Sequence, residues 1–357
     1  MKYLKLFRKE PMTLLLAALP LAILAEYAHW GVLWVFAFSA LAVIPLAGFI
    51  GKATEALAHY TGPRFGALIN ATLGNAAELI ITIAAIRLGL LELVKASITG
   101  SILGNLLLVL GMSVLLGGVR NGIQTFDRRH ASSNAILLVL AVLILLIPSL
   151  LSHSIGPEGS TKVEVLSLGV AGVMILLYGS GLLFSFVDKH GVLAAEVADP
   201  GTPQPGWSIR MALFILFLAT LGTVYFSELL VNSVEPVVAS LGISEFFVGI
   251  IFIPIIGNVA EHIVAVQVAI RNKMSLSVEI TVASSLQIAL FVAPVLVFVS
   301  LLFGHPLTLI FNQFELLALV AGILIAALVS ADGETNWLEG AELLAIYLVL
   351  GLAFFLL

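Results

Sequence analysis

Long apolar runs alternate with short polar connections along the whole chain. A helix needs about 20 predominantly apolar residues to cross the hydrocarbon core of a bilayer. Runs of this kind fall near 12–29, 32–50, 64–88, 95–119, 132–152, 163–187, 208–231, 244–270, 276–303, 308–330 and 338–357. The pattern predicts an all-α polytopic membrane protein with eleven transmembrane helices. The separation of the first two spans depends on the break at residues 27–31, which read YAHWG.

The composition supports this class and excludes several functions. Of the 357 residues, 61% are hydrophobic and 10% are charged, which is too apolar for a soluble protein of this size. The chain has no cysteine, so disulfides, iron–sulfur clusters and thiolate zinc sites are excluded. A net charge of −5 without a basic tract argues against a nucleic-acid partner and leaves the lipid bilayer as the expected surroundings.

Lysine and arginine are distributed unevenly between alternate loops. The N-terminus and one set of loops hold 13 of the 16, whereas the other set holds Arg87, Lys95 and Lys162. The positive-inside rule therefore predicts a cytoplasmic N-terminus and, after eleven spans, an outside C-terminus. The first apolar run follows a basic start, as in a signal peptide, but no small-residue cleavage site follows it. We expect it to be a retained span.

The chain repeats itself after 183 residues. Residues 74–78 read GNAAE and residues 257–261 read GNVAE, and glycine, asparagine, glutamate and serine positions match around them. A shift across five spans, an odd number, inverts the second copy. We therefore expect an N-terminal helix in 1–30, a first five-helix repeat in 31–187, a cytoplasmic linker in 188–207 and a second, inverted repeat in 208–357. Inverted repeats are typical of secondary transporters, whose site lies between the repeats near mid-membrane.

Each pentapeptide ends in a glutamate near the middle of its span, Glu78 and Glu261. A charged carboxylate at this depth costs several kcal/mol unless it faces the protein interior or a wet cavity. A single one could be a neutral, hydrogen-bonded structural residue. Two at equivalent positions favour a functional site.

The residues around the glutamates are small or polar. Gly66, Asn70, Gly74, Glu78 and Thr82 recur every four residues, and Gly249, Gly257 and Glu261 repeat part of this stripe. The stripe suits close helix packing. It also allows a second interpretation, because Pro254 removes a helical hydrogen bond from the carbonyl of Ile250. A helix broken near Gly74 or Gly257 would expose carbonyl oxygens beside a carboxylate. Asn75 and Asn258 would add amide oxygens or clamp neighbouring helices.

The span after each pentapeptide also has a polar centre. The first carries Ser97, Ser101 and Asn105, and the second carries Ser284, Ser285 and Gln287. Asn105 and Gln287 are out of register by one residue under the 183-residue shift. Each is either a cation ligand or a helix–helix hydrogen bond.

The candidate ligands are oxygens, which suit Ca²⁺, Mg²⁺, Mn²⁺ or Na⁺. His262 is the one histidine near them, and we interpret it as a buried partner or proton relay more than as a ligand. Two carboxylates are neutral with one divalent ion or with two protons, whereas the empty, doubly ionised pair is costly in a low dielectric. Charge counting therefore favours exchange of a divalent ion for protons.

These motifs resemble the signature repeats of the cation/proton exchangers, a family of the calcium/cation antiporter superfamily. The resemblance rests on GNAAE with KASITGSILGNLLLVLG, and on GNVAEH with SSLQIALFVAP. It implies that Glu78 and Glu261 bind Ca²⁺ and protons in turn, with backbone oxygens around Gly74 and Gly257 as further ligands. It implies Ca²⁺ as transported substrate without a cofactor, moved by the proton gradient, and Asn105 and Gln287 as polar partners.

Two departures from the family pattern matter. Ala77 stands where members often carry a hydroxyl residue or valine, so an accessory ligand is missing there. The linker holds only Asp188, Glu196 and Asp199 as acidic residues, so regulatory Ca²⁺ binding there is not expected.

Several alternatives stay open. Glu228 is either a cavity carboxylate or an interfacial residue near Glu235 and Glu245, and Glu55 is similar. The nearest functional alternative is an exchanger of the same fold that uses Na⁺ or carries Mn²⁺ or Mg²⁺, and a cation channel is the next. No hydrolase motif lies in a span, so an enzyme is not expected. We expect a multi-pass protein of a prokaryotic plasma membrane, with a vacuolar membrane as the alternative and the oligomeric state, including a homo-oligomer, open.

Overall fold

A computed structural model describes residues 11–187, 207–329 and 332–357. A short 3₁₀ segment, Pro11–Ala17, precedes the first α-helix. The first half contains α1 (Ala18–Tyr27), α2 (Val32–Leu73), α3 (Ala76–Arg87), α4 (Leu91–Leu103), α5 (Leu110–Asn121), α6 (Arg128–Ile155) and α7 (Thr161–Val187). The second contains α8 (Ile209–Asn232), α9 (Val234–Leu241), α10 (Glu245–Phe247), α11 (Ile253–Ile270), α12 (Met274–Gln287), α13 (Ala293–Leu302), α14 (Gln313–Val329) and α15 (Trp337–Leu356).

The helices confirm a polytopic α-helical membrane protein. Within the described residues, eight helical segments are long and apolar enough to cross a membrane, and two shorter apolar helices, Leu14–Tyr27 and Gln313–Val329, accompany them. These ten segments correspond to ten of the predicted spans. The remaining predicted span, 64–88, consists of two shorter helical pieces.

The interruption in that span begins at Gly62. Its φ of 80° and ψ of 173° break the long helix α2, and Pro63 follows. Glycine adopts this conformation freely, and proline cannot donate a helical hydrogen bond. The chain then winds on to Leu73, turns at Gly74 and Asn75, and starts α3. The first pentapeptide therefore lies at a helix break.

The second pentapeptide does not. Helix α11 runs through Gly257 without interruption. The distortion lies upstream instead, in a π-helical turn at Val248–Phe252 that directly precedes α11 and Pro254. A proline lacks the amide hydrogen that the preceding turn needs, so the irregular turn forms there rather than at the glycine. The expected break at Gly257 is therefore wrong.

Two further π-helical turns occupy related positions in the two halves. One, Gly104–Val109, lies between α4 and α5, and the other, Ile288–Val292, lies between α12 and α13. The first contains Asn105, the last residue of the first polar stretch, and the second directly follows Gln287, the last residue of the second. π-Turns insert an extra residue into a helix and are frequent at functional sites.

Contacts between loops sort the helix ends into two faces. Strand β1 (Gln124–Thr125) pairs antiparallel with β2 (Glu334–Thr335), so the segments before α6 and α15 share one face. Lys95 and Thr308 both bond Glu158, which places the connections before α4, α7 and α14 together on the other. We call the first the basic face, because it is the face to which Arg120 and Arg128 belong. Most of the linker and the four basic residues of the N-terminus lie outside the described residues.

The centre of the molecule is α4. Every residue from Leu93 to Leu103 is buried. A Cβ on Gly249 would lie 2.8 Å from the Cβ of Ala96, so backbones approach closely here. The carbonyl group of Ile250 abuts Gly100 of α4. The sequence had assigned this carbonyl to an ion site, but it packs against a helix instead.

Candidate functional site

Glu78 lies in the first turn of α3 and is 2% exposed. The hydroxyl of Ser101 on α4 and the amide of Asn258 on α11 both donate to its Oε1 atom. Its Oε2 atom is buried and accepts no hydrogen bond from the described residues. The two halves of the chain therefore both contribute to one carboxylate, and one of its oxygens remains available.

Glu261 has different surroundings. It lies on α11 and is partly exposed. Ser284 Oγ donates to its Oε2 atom at 3.2 Å, and Asn105 Nδ2 donates to Ser284 Oγ at 3.0 Å. His262 Nε2 lies 3.2 Å from Asn105 Oδ1. A hydrogen-bonded chain thus connects His262 to Glu261 through side chains of both halves.

A third amide contact completes the site. Asn75, at the break before α3, donates from Nδ2 to Gln287 Oε1 at 2.7 Å. The Oδ1 atom of Asn75 is buried and accepts no hydrogen bond from the described residues. Asn75 and Asn258, which match under the 183-residue shift, therefore have different partners.

The motif glycines make room for the opposite glutamate. A Cβ on Gly257 would lie 2.9 Å from Cγ of Glu78, and a Cβ on Gly74 would lie 3.6 Å from Oε1 of Glu261. The sequence explained both glycines through backbone bending and carbonyl ligands. The structure shows a second reason, which is the close approach of each glutamate to the glycine of the other copy.

These contacts leave oxygen acceptors without donors at the centre of an apolar protein. Glu78 Oε2 and Asn75 Oδ1 are both buried. A buried polar atom without a partner is costly, so a cation or a proton would stabilise it. Carboxylate and amide oxygens suit hard cations. No group of three or more histidine, cysteine, aspartate or glutamate side chains suitable for a metal occurs in the described part of the chain. The candidate site is therefore a carboxylate pair supported by amides and hydroxyls.

The exposed polar residues near the pair lie toward the basic face. Asn70 and Gln267 are exposed, and Glu261 is partly exposed. Gln267 lies between Glu261 and the end of α11 near Ala269, which Gln124 of β1 contacts on the basic face. The other half of α11, from Ile253 to Asn258, is mostly buried. Exposed polar side chains within a span favour contact with water over contact with lipid. Glu261 is therefore the more exposed of the two glutamates and lies on the half of α11 that ends at the basic face, whereas Glu78 is enclosed.

Other acidic candidates lie away from the pair. Glu228, at the end of α8, forms an ion pair with Arg87 at 3.4 Å, and both side chains are about half exposed (48% and 50%). Glu245 Oε1 accepts a hydrogen bond from the amide of Leu93 at 3.2 Å. Glu55 is exposed on α2. The structure does not bring these residues together with Glu78.

Sequence reasoning missed an ionic cluster around a buried lysine. Lys95 is 4% exposed, and its Nζ atom lies 2.6 Å from Glu92 and 2.8 Å from Glu158. Burial alone would raise the pKa of Glu158, but hydrogen bonds from Lys95 and Thr308 and the charge of Lys95 hold this pKa below its usual range. A lysine three residues after a glutamate at the edge of an apolar run was the available signal.

The chain resembles known proteins over nearly its full length. A family model described as "Sodium/calcium exchanger protein" matches residues 31–187 and 211–356. A Ca(2+)/H(+) antiporter of Aphanothece halophytica is 46% identical over 354 residues, which cover 96% of this chain and 95% of that protein. The Ca(2+)/H(+) antiporter ChaA of Bacillus subtilis (strain 168) is 43% identical over 349 residues, with 96% and 98% covered.

Solved structures show the same fold. The structure of native YfkE matches with a TM-score of 0.85 and 40% sequence identity, covering 98% of this chain and 100% of that one. The H⁺/Ca²⁺ exchanger CAX matches with a TM-score of 0.75 at 14% identity, covering 97% and 91%. The second likeness shows the fold alone.

The two curated relatives are named as antiporters rather than as enzymes. Their identity extends over almost the whole length of both chains, and it confirms the resemblance that the two pentapeptides indicated. This chain belongs to the sodium/calcium exchanger protein family, within its cation/proton exchanger group.

Proposed function

We propose that this protein is an antiporter that exchanges Ca²⁺ for protons by alternating access, with Glu78 and Glu261 binding Ca²⁺ or protons in turn. One observation carries the proposal: each glutamate packs against the motif glycine of the opposite copy. The names of its relatives support Ca²⁺ and H⁺ as the exchanged ions.

The coupling follows from charge. Two ionised carboxylates neutralise one Ca²⁺, and two protonated carboxyl groups are neutral as well. The empty, doubly ionised pair would have to cross a low-dielectric interior, which is unfavourable. The pair therefore crosses loaded with Ca²⁺ or with about two protons, and this restriction couples the two fluxes.

The other site residues support the pair in this proposal. Asn105, Ser284 and His262 hold Glu261, and Ser101 and Asn258 hold Glu78. The backbone around Gly74, at the break before α3, supplies further ligands when the cation is bound. Glu228 is paired with Arg87 away from the central pair, so it acts as an interfacial residue rather than as a ligand at the centre.

The same proposal includes the topology. Eleven spans form an N-terminal helix (1–30) and two inverted five-helix repeats (31–187 and 208–357), joined by the linker 188–207 at the cytoplasmic face. The basic face is cytoplasmic, the C-terminus is outside, and the membrane is a prokaryotic plasma membrane. The related π-turns at Gly104–Val109 and Ile288–Val292 support the repeat.

Flux through proteoliposomes tests the function. Uptake of ⁴⁵Ca²⁺ is measured against an imposed pH gradient, with a Na⁺ gradient as the control. We expect uptake to require the pH gradient and to be lost in Glu78→Gln and Glu261→Gln. Glu315→Gln is the matched control. Glu315 is also buried, but it forms a reciprocal cap with Asn312 at the start of α14, and glutamine preserves such a cap.

Three results would contradict the proposal. Uptake that follows the Na⁺ gradient would indicate a sodium-coupled exchanger of the same fold. Uptake without any counter-gradient would indicate a channel. Full transport in either central glutamate variant would remove the carboxylate pair from the mechanism.

A further inference from the structure

The two pentapeptide asparagines have matching positions but different partners. Asn258 donates to the carboxylate of Glu78, the glutamate of the other copy. Asn75 has no such bond to Glu261 and donates instead to the neutral amide of Gln287 at 2.7 Å. The asymmetry is therefore between a bond to a carboxylate and a bond to an amide.

The exposure of the two glutamates follows the same asymmetry. Glu78, which receives the asparagine amide, is 2% exposed, whereas Glu261, which lacks it, is partly exposed on the half of α11 that ends at the basic face. The asparagine amide thus donates to Glu78, the enclosed carboxylate. Glu261, the more exposed carboxylate, accepts a hydrogen bond from Ser284 alone among the described residues.

Inverted repeats relate the two faces of a transporter. When the protein opens to the opposite face, each half takes up the environment that the other half has now. Applied to this structure, the exchange gives Asn75 a bond to Glu261 and gives Asn258 a bond to Asn105, the polar residue that corresponds to Gln287 to within one position.

We propose that Asn75 and Asn258 are positioning residues that exchange partners during transport. Asn258 holds Glu78 in the state seen here, and Asn75 holds Glu261 in the state open to the other face. Each asparagine donates to a neutral amide while the glutamate of the other copy is accessible. This inference rests on the proposed function, because it requires inverted halves and alternating access.

The exchange has a mechanical reason. A hydrogen bond to an ionised acceptor is roughly twice as strong as one between neutral groups. An amide on the enclosed carboxylate fixes that side chain against the opposite glycine, which for Glu78 is Gly257. An accessible carboxylate without this donor is free to turn toward an arriving ion. The two asparagines thereby make one glutamate fixed and the other receptive in each state.

Leucine, which has nearly the shape of asparagine, tests the idea without adding charge. Asn258→Leu loses a hydrogen bond to a carboxylate in this state but only a hydrogen bond to a neutral amide in the other. It should lower the ratio of this state to the other by about fivefold. Asn75→Leu loses the amide bond here and the carboxylate bond in the other state, so it should raise the same ratio by a similar factor.

Spin labels can measure this ratio, because the chain has no native cysteine. Labels at His59→Cys on α2 and Lys273→Cys after the end of α11 occupy exposed positions outside the site. Double electron–electron resonance in liposomes then gives the populations of the two states. Asn134→Leu, at a buried amide of α6 away from the pair, is the matched control and should leave the populations unchanged.

The double variant Asn75→Leu with Asn258→Leu should return the ratio to within about twofold of the parent, because the two effects oppose each other. The measurement is made at a pH and Ca²⁺ concentration at which the parent populates both states. Alanine at both positions carries the same predictions if a leucine variant does not fold. Equal-direction shifts, or an unchanged ratio in all variants, would overturn the partner exchange.

The same liposomes separate this inference from the function on which it rests. Loss of proton-driven Ca²⁺ uptake in the labelled parent protein would contradict the proposed function. Normal uptake in that protein, combined with shifts in the same direction for the two asparagine variants, would contradict the partner exchange alone.

Discussion

At the scale of single residues, the site depends on how closely each glutamate approaches the other copy. A Cβ added to Gly257 would lie 2.9 Å from Cγ of Glu78. A Cβ added to Gly74 would lie 3.6 Å from Oε1 of Glu261, which is an ordinary van der Waals contact. The two glycines therefore differ in what a side chain would meet first, which is Glu78 at Gly257 and the backbone oxygen of Asn70, 2.7 Å from the added Cβ, at Gly74.

Gly257→Ala should displace the Glu78 side chain from Ser101 and Asn258 and reduce Ca²⁺ uptake at least tenfold. Gly74→Ala leaves Glu261 in ordinary contact, but its Cβ would lie 2.7 Å from the backbone oxygen of Asn70, so it should also lower the melting temperature, which thermal unfolding in detergent measures. Initial rates of ⁴⁵Ca²⁺ uptake check the loss of transport. Gly169→Ala on α7, where a Cβ meets nothing within 4 Å, is the control and should retain full transport. Full uptake by Gly257→Ala would contradict this explanation.

The Lys95 cluster gives a residue-scale prediction in pH. The pKa of Glu158 is lowered in the folded protein, so its ionised form stabilises the fold above the unfolded pKa. This stabilisation is lost as the pH falls through the lowered folded value.

Glu158→Gln should therefore lower the melting temperature near neutral pH and have progressively less effect in acid. Thermal unfolding in detergent between pH 3 and pH 7 measures the difference from the parent. Glu164→Gln, in the first turn of α7, is the control because no ion pair to it is recorded in the described residues. A difference that grows in acid would reverse the assigned sign.

At the scale of helices, the fold depends on the close crossing of α4 with the π-turn before α11. The carbonyl of Ile250 abuts Gly100, and the carbon of that carbonyl would lie 2.7 Å from a Cβ there. Neither group can move without shifting a whole helix, because both belong to backbone.

Gly100→Ala should therefore be severely destabilising, with loss of folded protein or a large fall in melting temperature. Gly104→Ala, one turn further along the same continuous helix, meets nothing within 4 Å and is the matched control. Fluorescence-detected gel filtration after graded heating compares the two. A tolerated Gly100→Ala would mean that α4 and the π-turn are less tightly packed than described.

Much of the helix pattern could be predicted from the sequence, because membrane spans depend on local hydropathy. Ten of the predicted runs correspond to apolar helical segments. The polar positions of α4 and α12 were also identified, since Ser101 and Ser284 each bond the glutamate that precedes them in the chain.

The remaining features depend on contacts between distant residues. The pentapeptides look alike, yet one lies at a helix break and the other inside α11, because Pro254 moves the distortion upstream. The partners of Asn75 and Asn258 differ, one being an amide and the other a carboxylate, although the two pentapeptides match in sequence. Lys95 meets Glu158 only after α4 and the α6–α7 loop have packed together.

At the scale of the whole molecule, contacts at both ends of the helices define two faces. Thr125 lies in β1 on the basic face and is exposed, and Gly159 lies in the loop before α7 on the other face and is also exposed. A cysteine-free parent allows single cysteines at these positions to report sidedness.

In intact cells, an impermeant maleimide should label Gly159→Cys and should label Thr125→Cys only after permeabilisation. Labelling of both without permeabilisation would contradict the assignment of these positions to opposite faces. The reverse pattern would retain the two faces and invert the proposed orientation.

The central claim is that the same two carboxylates hold either Ca²⁺ or protons. Calorimetric titration of the purified protein with Ca²⁺, in buffers that differ in ionisation enthalpy, counts the protons released on binding. At a pH where the pair is protonated before binding, we predict release of about two protons per Ca²⁺ in the parent protein, with binding lost in Glu78→Gln and Glu261→Gln. Tight Ca²⁺ binding without proton release across the accessible pH range would contradict the claim.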